Sequence, residues 1–130
     1  MTPQSINSLG ALTLGGLVLA GAAVAAAPAR PWPLLVALLL APALEETVFR
    51  AGLQDGLLCA GVTPWRANAL AALVFMAAHV LLLGVSAQAT LVVAPALLIG
   101  AAYNRWRRLR ICIALHMAMN ALWIAVHGVS

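Results

Sequence analysis

Five apolar, almost uncharged stretches follow one another from Leu9 to Val126, each close to the length of one bilayer crossing. A crossing helix takes roughly 20 apolar residues. The 130-residue chain is 65% hydrophobic and only 8% charged, whereas soluble domains carry about a quarter charged residues. Such a chain cannot cover a water-facing surface, so a soluble enzyme and a disordered tail are both excluded. The stretches lack the period-two alternation of barrel strands. The expected fold class is therefore all-α: a polytopic membrane protein with about five transmembrane helices.

The first stretch, about Leu9 to Ala27, is rich in Gly and Ala and ends at the Pro28, Pro31 and Pro33 cluster. No Lys or Arg precedes it, so it reads as a retained accessory helix rather than a cleaved signal peptide. Gly10, Gly15, Gly16 and Gly21 suit it to close helix contact. The second stretch runs from near Trp32 to about Leu53, with Pro42 inside it. A connector holding Asp55, Gly56, Gly61 and Pro64 follows, with residues 57–60 expected along the interface and Asp55 solvated. The third stretch runs from about Arg66 to Leu83, the fourth from about Ala87 to Tyr103 with Pro95 inside, and the fifth from about Ile111 to Val126. The chain thus reads as one transmembrane domain, 1–130, made of an accessory helix, 9–27, and a core, 32–126.

Charge placement sets the expected orientation. There is no lysine, and of the 7 basic residues four lie between Arg105 and Arg110. Holding that cluster in the cytoplasm puts Arg50 and Arg66 on the same side and Arg30 outside, with the N-terminus in and the C-terminus out. Trp65 and Trp106 then fall at the cytoplasmic interface and Trp32 and Trp123 at the opposite one, as amphipathic rings should. A basic cluster between apolar runs sets membrane orientation, so no nucleic-acid partner is expected. Cys59 and Cys112 are isolated among apolar neighbours and read as packing residues.

Polar side chains inside the spans are the candidates for chemistry, because an ionised Asp or Arg at the bilayer centre costs at least about 2.5 kcal/mol. They are Glu45, Glu46 and Arg50 in the second stretch, His79 in the third, and His116 and Asn120 in the fifth. Glu46 and Arg50, four apart, share one stripe and can neutralise each other. Glu45 is turned about 100° away from that stripe, so the adjacent carboxylates take different roles. Pro42 cannot donate to the Leu38 carbonyl, and a kink there is expected to admit water beside Glu45. Phe75 with His79, and His116 with Asn120, also share faces. At ~1.5 Å per residue from the cytoplasmic ends, Glu45 lies ~10 Å deep, His79 ~20 Å, His116 ~8 Å and Asn120 ~15 Å, so all are expected to meet in one cavity. Each piece also has a plain structural reading. A histidine can bond a neighbouring backbone, Glu46 and Arg50 can form a buried ion pair, and Asn120 can join helices. Phe49 and Phe75 suit packing or the wall of a substrate pocket.

Three motifs in order carry a resemblance. Glu45-Glu46-Thr47-Val48-Phe49-Arg50 fits EExxxR, Phe75-Met76-Ala77-Ala78-His79 fits FxxxH, and His116-Met117-Ala118-Met119-Asn120 fits HxxxN. This resembles the CPBP family of intramembrane proteases, also called Abi or CAAX-protease-like, which includes the type II CAAX prenyl endopeptidases. The resemblance covers about Leu34 to Trp123 and implies a glutamate-dependent endopeptidase built on a four-helix catalytic core. It implies that Glu45 and His79 activate water, that His116 and Asn120 stabilise the oxyanion, and that Glu46 with Arg50 supports the site. The implied partners are the lipid bilayer and a membrane-associated protein or peptide substrate. The Ala-, Leu- and Arg-rich, lysine-free composition suggests a GC-rich bacterium and its cell membrane.

Three other readings use the same residues. A zinc protease would draw on the Glu and His side chains, but HExxH is missing and His79 and His116 lack paired-ligand spacing, so no cofactor is expected. A proton-relay or transport protein would move protons through them, and a membrane scaffold would use them as interhelical glue.

Overall fold

A computed structural model describes residues 32–128. The Leu9–Ala27 segment lies outside the described residues. Among those described there is no strand, and four helices are long and apolar enough to cross a membrane: α1 Trp32–Cys59, α2 Pro64–Leu83, α3 Ala87–Trp106 and α4 Leu109–His127. Large apolar side chains such as Leu44, Val48, Leu73, Leu98 and Leu122 face outward, while Glu46, Arg50, Gln54, Asn68 and His116 are buried. That distribution inverts the one a protein needs in water, and it suits hydrocarbon surroundings. All four tryptophans are exposed, each at or near a helix end.

The connector expected after Leu53 is helical. α1 continues to Cys59 because Gln54, Asp55 and Gly56 extend the backbone ladder. Asp55, expected to be a solvated loop residue, sits within the helix and ion-pairs with Arg107. Residues 57–59 form the last turn of α1 rather than a separate interfacial stretch. The chain then reverses through Gly61, whose φ of 83° is open to glycine without a Cβ penalty. Cys59 at this end of α1 is exposed, whereas Cys112 in α4 is buried.

Pro42 widens the helix instead of simply kinking it. Val36–Leu40 is a π stretch, closed by a five-residue bond from the Ala41 N–H to the Val36 carbonyl. A second π stretch covers Thr47–Gln54, where the Asp55 N–H reaches the Arg50 carbonyl. Such wide turns absorb a missing backbone bond or a side chain that needs room. Pro95 acts differently. It cannot donate to the Leu91 carbonyl, and α3 breaks between Ala87–Leu91 and Val93–Trp106, which leaves Pro95 in a first turn that needs no N–H.

The described residues fall into two compact units, one spanning Glu45–Cys112 and the other holding 32–44 with 113–128. In the first, small residues let α2 and α3 approach closely. Ala67 and Ala71 on α2, and Ala96 and Gly100 on α3, stand at four-residue steps on buried faces. Phe75, Ala72 and Ala96 form its apolar core, with Phe49, Val92 and Val93 packed against them. In the second unit Leu34 and Leu38 pack on Met117 and Ala121, flanked by Ile113 and Ile124. Here Asn120 Nδ2 donates to the Ala37 carbonyl at 2.9 Å.

Candidate functional site

Within the Glu45–Cys112 unit, α1 presents a line of polar side chains to the interior. Glu46, Arg50 and Gln54 follow at four-residue steps and have no exposed surface. In a regular α-helix such steps drift by about 40°, so a straight polar line would be lost within two turns. The wider π turns of Thr47–Gln54 reduce that drift and keep the three in register.

The Arg50 guanidinium is held at three points. Its Nε donates to Glu46 Oε2 at 2.9 Å, Nη1 to Gln54 Oε1 at 3.0 Å, and Nη2 to the Ala96 carbonyl on α3 at 3.0 Å. A buried ion pair survives desolvation only when its remaining donors and acceptors are met, and this guanidinium meets that requirement with neutral partners. Gly100 makes the arrangement possible. A Cβ there would lie 1.8 Å from Asn68 Oδ1 and 2.8 Å from Arg50 Nη1, so only glycine admits both side chains. Asn68 donates to the Leu97 carbonyl at 3.0 Å and leaves its own buried Oδ1 without a hydrogen-bond partner.

Glu45 is half-buried, as is His79. His79 Nδ1 lies 3.0 Å from the Phe75 carbonyl. A carbonyl only accepts, so Nδ1 carries a proton and donates to it. Phe75 packs against His79 with the rings tilted by 37° and 4.4 Å between centroids, and meets Phe49 of α1 edge-on at 4.9 Å. That contact fixes the register of two antiparallel helices. Glu45 lies one turn before Phe49 and His79 one turn after Phe75, so both lie at one level on the far side of the aromatic contact. The longer α1 revises the depth expected for Glu45. Counted from Cys59 at ~1.5 Å per residue it lies about 20 Å in, as does His79 counted from Pro64.

His116 and Asn120 belong to the other unit, where they share a face of α4; His116 is buried and Asn120 half-buried. Within neither unit do three or more His, Cys, Asp or Glu side chains among the described residues gather as ligands for a metal ion.

The profile of the type II CAAX prenyl endopeptidase Rce1-like family matches residues 27–122. The chain belongs to that family. No curated protein and no solved structure matches it. An Rce1-like protein is an intramembrane protease, and all three motifs fall inside the matched span. This Rce1-like chain also holds buried or partly buried polar side chains that its motifs do not include. Gln54, Asn68 and Asn104 are the polar neighbours of the Arg50 site, with Asn104 Oδ1 accepting from Gln54 Nε2 at 2.9 Å. One signal for Gln54 was present in the sequence: it continues the four-residue step from Glu46 through Arg50.

Proposed function

We propose that this Rce1-like chain hydrolyses a peptide bond of a membrane-associated protein or peptide by a glutamate mechanism. Glu45, aided by the Nε2 lone pair of His79, takes a proton from water, and the hydroxide attacks the scissile carbonyl carbon. The carbonyl π electrons move to oxygen, whose negative charge is assigned to N–H donors of His116 and Asn120. Collapse expels the amine, which receives the proton held by Glu45. A carboxylate can serve first as the base that takes the proton and then as the acid that returns it. Glu46 and Arg50 brace the site, and Phe49 and Phe75 wall the substrate side. The reading takes no metal and no nucleic acid. It sets the protein in a bacterial cell membrane, N-terminus in the cytoplasm and C-terminus outside.

The observation that supports this reading is the Phe49–Phe75 contact, because Glu45 lies one turn before Phe49 and His79 one turn after Phe75 on adjacent helices. The test uses purified protein in lipid nanodiscs and a quenched fluorescent peptide ending in a prenylated Cys-aliphatic-aliphatic-X sequence. Alongside it, membrane-protein C-termini are compared by proteomics in cells carrying wild type or Glu45→Ala. Cleavage that Glu45→Ala loses, and that survives exhaustive chelation with no zinc by elemental analysis, fits the proposal. Cleavage lost on chelation and restored by zinc would replace it with a metal mechanism. Proton flux without any altered C-terminus would replace it with transport.

A further inference from the structure

Gln54 lies outside all three motifs, yet its carboxamide is used in both directions. Oε1 accepts from Arg50 Nη1 at 3.0 Å, while Nε2 donates to the Gly100 carbonyl and to Asn104 Oδ1, both at 2.9 Å. The two acceptors facing Nε2 decide which end of the amide is nitrogen, and so compel the oxygen to face Arg50. Asn104 is itself anchored, donating through Nδ2 to the Pro64 carbonyl at 2.9 Å. The amide is therefore fixed from α3 and from the start of α2, and it presents one lone pair to one guanidinium.

The geometry points to Gln54 as a positioning residue for catalysis: it locks the Arg50 guanidinium, and through it the Glu46 carboxylate, in the orientation that Glu45 and His79 need. Turning the planar guanidinium about its last side-chain bond would break the contacts at Nη2 and Nη1 together, so the Nη1 contact stiffens an orientation that Nε and Nη2 alone hold less firmly. Glu46 follows because its Oε2 is bonded to the same group. Glu45 is the next residue along the backbone, so a shift in the Glu46 turn moves the proposed base directly. The inference rests on the reading of Glu45 as that base, and its experiment separates the two.

Two variants in nanodiscs serve as the test: Gln54→Met, which keeps the length and removes every polar contact; and Asn104→Leu, which removes one acceptor that orients the amide. Two measurements are made on each. One is the exchange protection of the Arg50 Nε–H in 15N-arginine spectra, assigned by its loss in Arg50→Lys. The other is kcat and KM on the prenylated peptide probe, per folded molecule. Gln54→Met is expected to lose the protected signal and about a hundredfold in kcat, with KM held within about twofold. Asn104→Leu should show a smaller loss in the same direction, which keeps the test open if Gln54→Met does not fold. A protected Arg50 signal in Gln54→Met overturns the proposal. So does a lower Tm with unchanged kcat. If wild type cleaves no probe and no membrane-protein C-terminus depends on Glu45, the protease mechanism fails, while the arginine signal still decides whether Gln54 holds Arg50.

Discussion

Asn120 donates to the carbonyl of Ala37 at 2.9 Å, and in the five-residue register of that stretch the backbone partner of Ala37 is Pro42, which has no N–H. The carboxamide stands in for a main-chain donor that proline cannot supply, as buried backbone in a membrane requires. Its Nδ2 carries a second hydrogen, so the structural bond and the proposed oxyanion contact do not compete.

Two separable effects should follow from Asn120→Ala. Turnover of the peptide probe should fall at least about a hundredfold, and stability in detergent should drop by about 1 kcal/mol. Adding Pro42→Ala returns an N–H opposite Ala37, so the double variant should regain Tm and remain inactive. Recovery of both would leave Asn120 with a structural role alone.

Gly100→Ala should disrupt the site, because the added carbon meets Asn68 Oδ1 at 1.8 Å. Overpacking of this kind costs about 1–3 kcal/mol, and here it also pushes on Arg50. Combining it with Asn68→Ala empties the colliding position at the expense of one hydrogen bond to Leu97. The pair should therefore be more stable than Gly100→Ala alone, measured by thermal unfolding.

Removing one charge of the buried Glu46–Arg50 pair should be worse than removing both. Arg50→Leu takes the guanidinium from a carboxylate with no exposed surface, a loss of about 3–5 kcal/mol. Glu46→Leu together with Arg50→Leu should fold better than Arg50→Leu, read as monodisperse yield after extraction, and should remain inactive.

Arg107 ends α3 in the left-handed region at φ 51°, where a non-glycine residue costs about 1–2 kcal/mol. It is kept there by Asp55 and by the Tyr103 ring 5.1 Å away. The ion pair is partly exposed and worth no more than about 1 kcal/mol. Arg107→Gly should thus change Tm little, relief of the backbone offsetting the lost contacts. Arg107→Val should lower Tm clearly, and cleavage by folded protein should be unaltered in both.

The helices and the motif pairs were legible in the sequence because both rest on short-range rules: span length, and four-residue spacing on a helix face. Pro42 and Pro95 announced disturbances, but not their form. One is absorbed by wide turns in α1 and the other breaks α3, and uniformly apolar sequence carries no periodicity that tells these apart. Gln54 was hidden by Asp55 and Gly56, which read as a connector although the backbone ladder runs on through them and Asp55 pairs with Arg107, 52 positions away. Asn68 and Asn104 acquire meaning only from the packing of α2 on α3, which depends on distant small residues such as Ala96 and Gly100.

Cys59 gives this molecule a native reporter of sidedness. Its thiol is exposed where α1 ends, whereas that of Cys112 is enclosed. A bulky, membrane-impermeant maleimide applied to intact cells should leave the protein unlabelled if that end faces the cytoplasm, and should react once in inverted vesicles. Labelling of intact cells would turn the proposed topology upside down, without a single residue having been replaced.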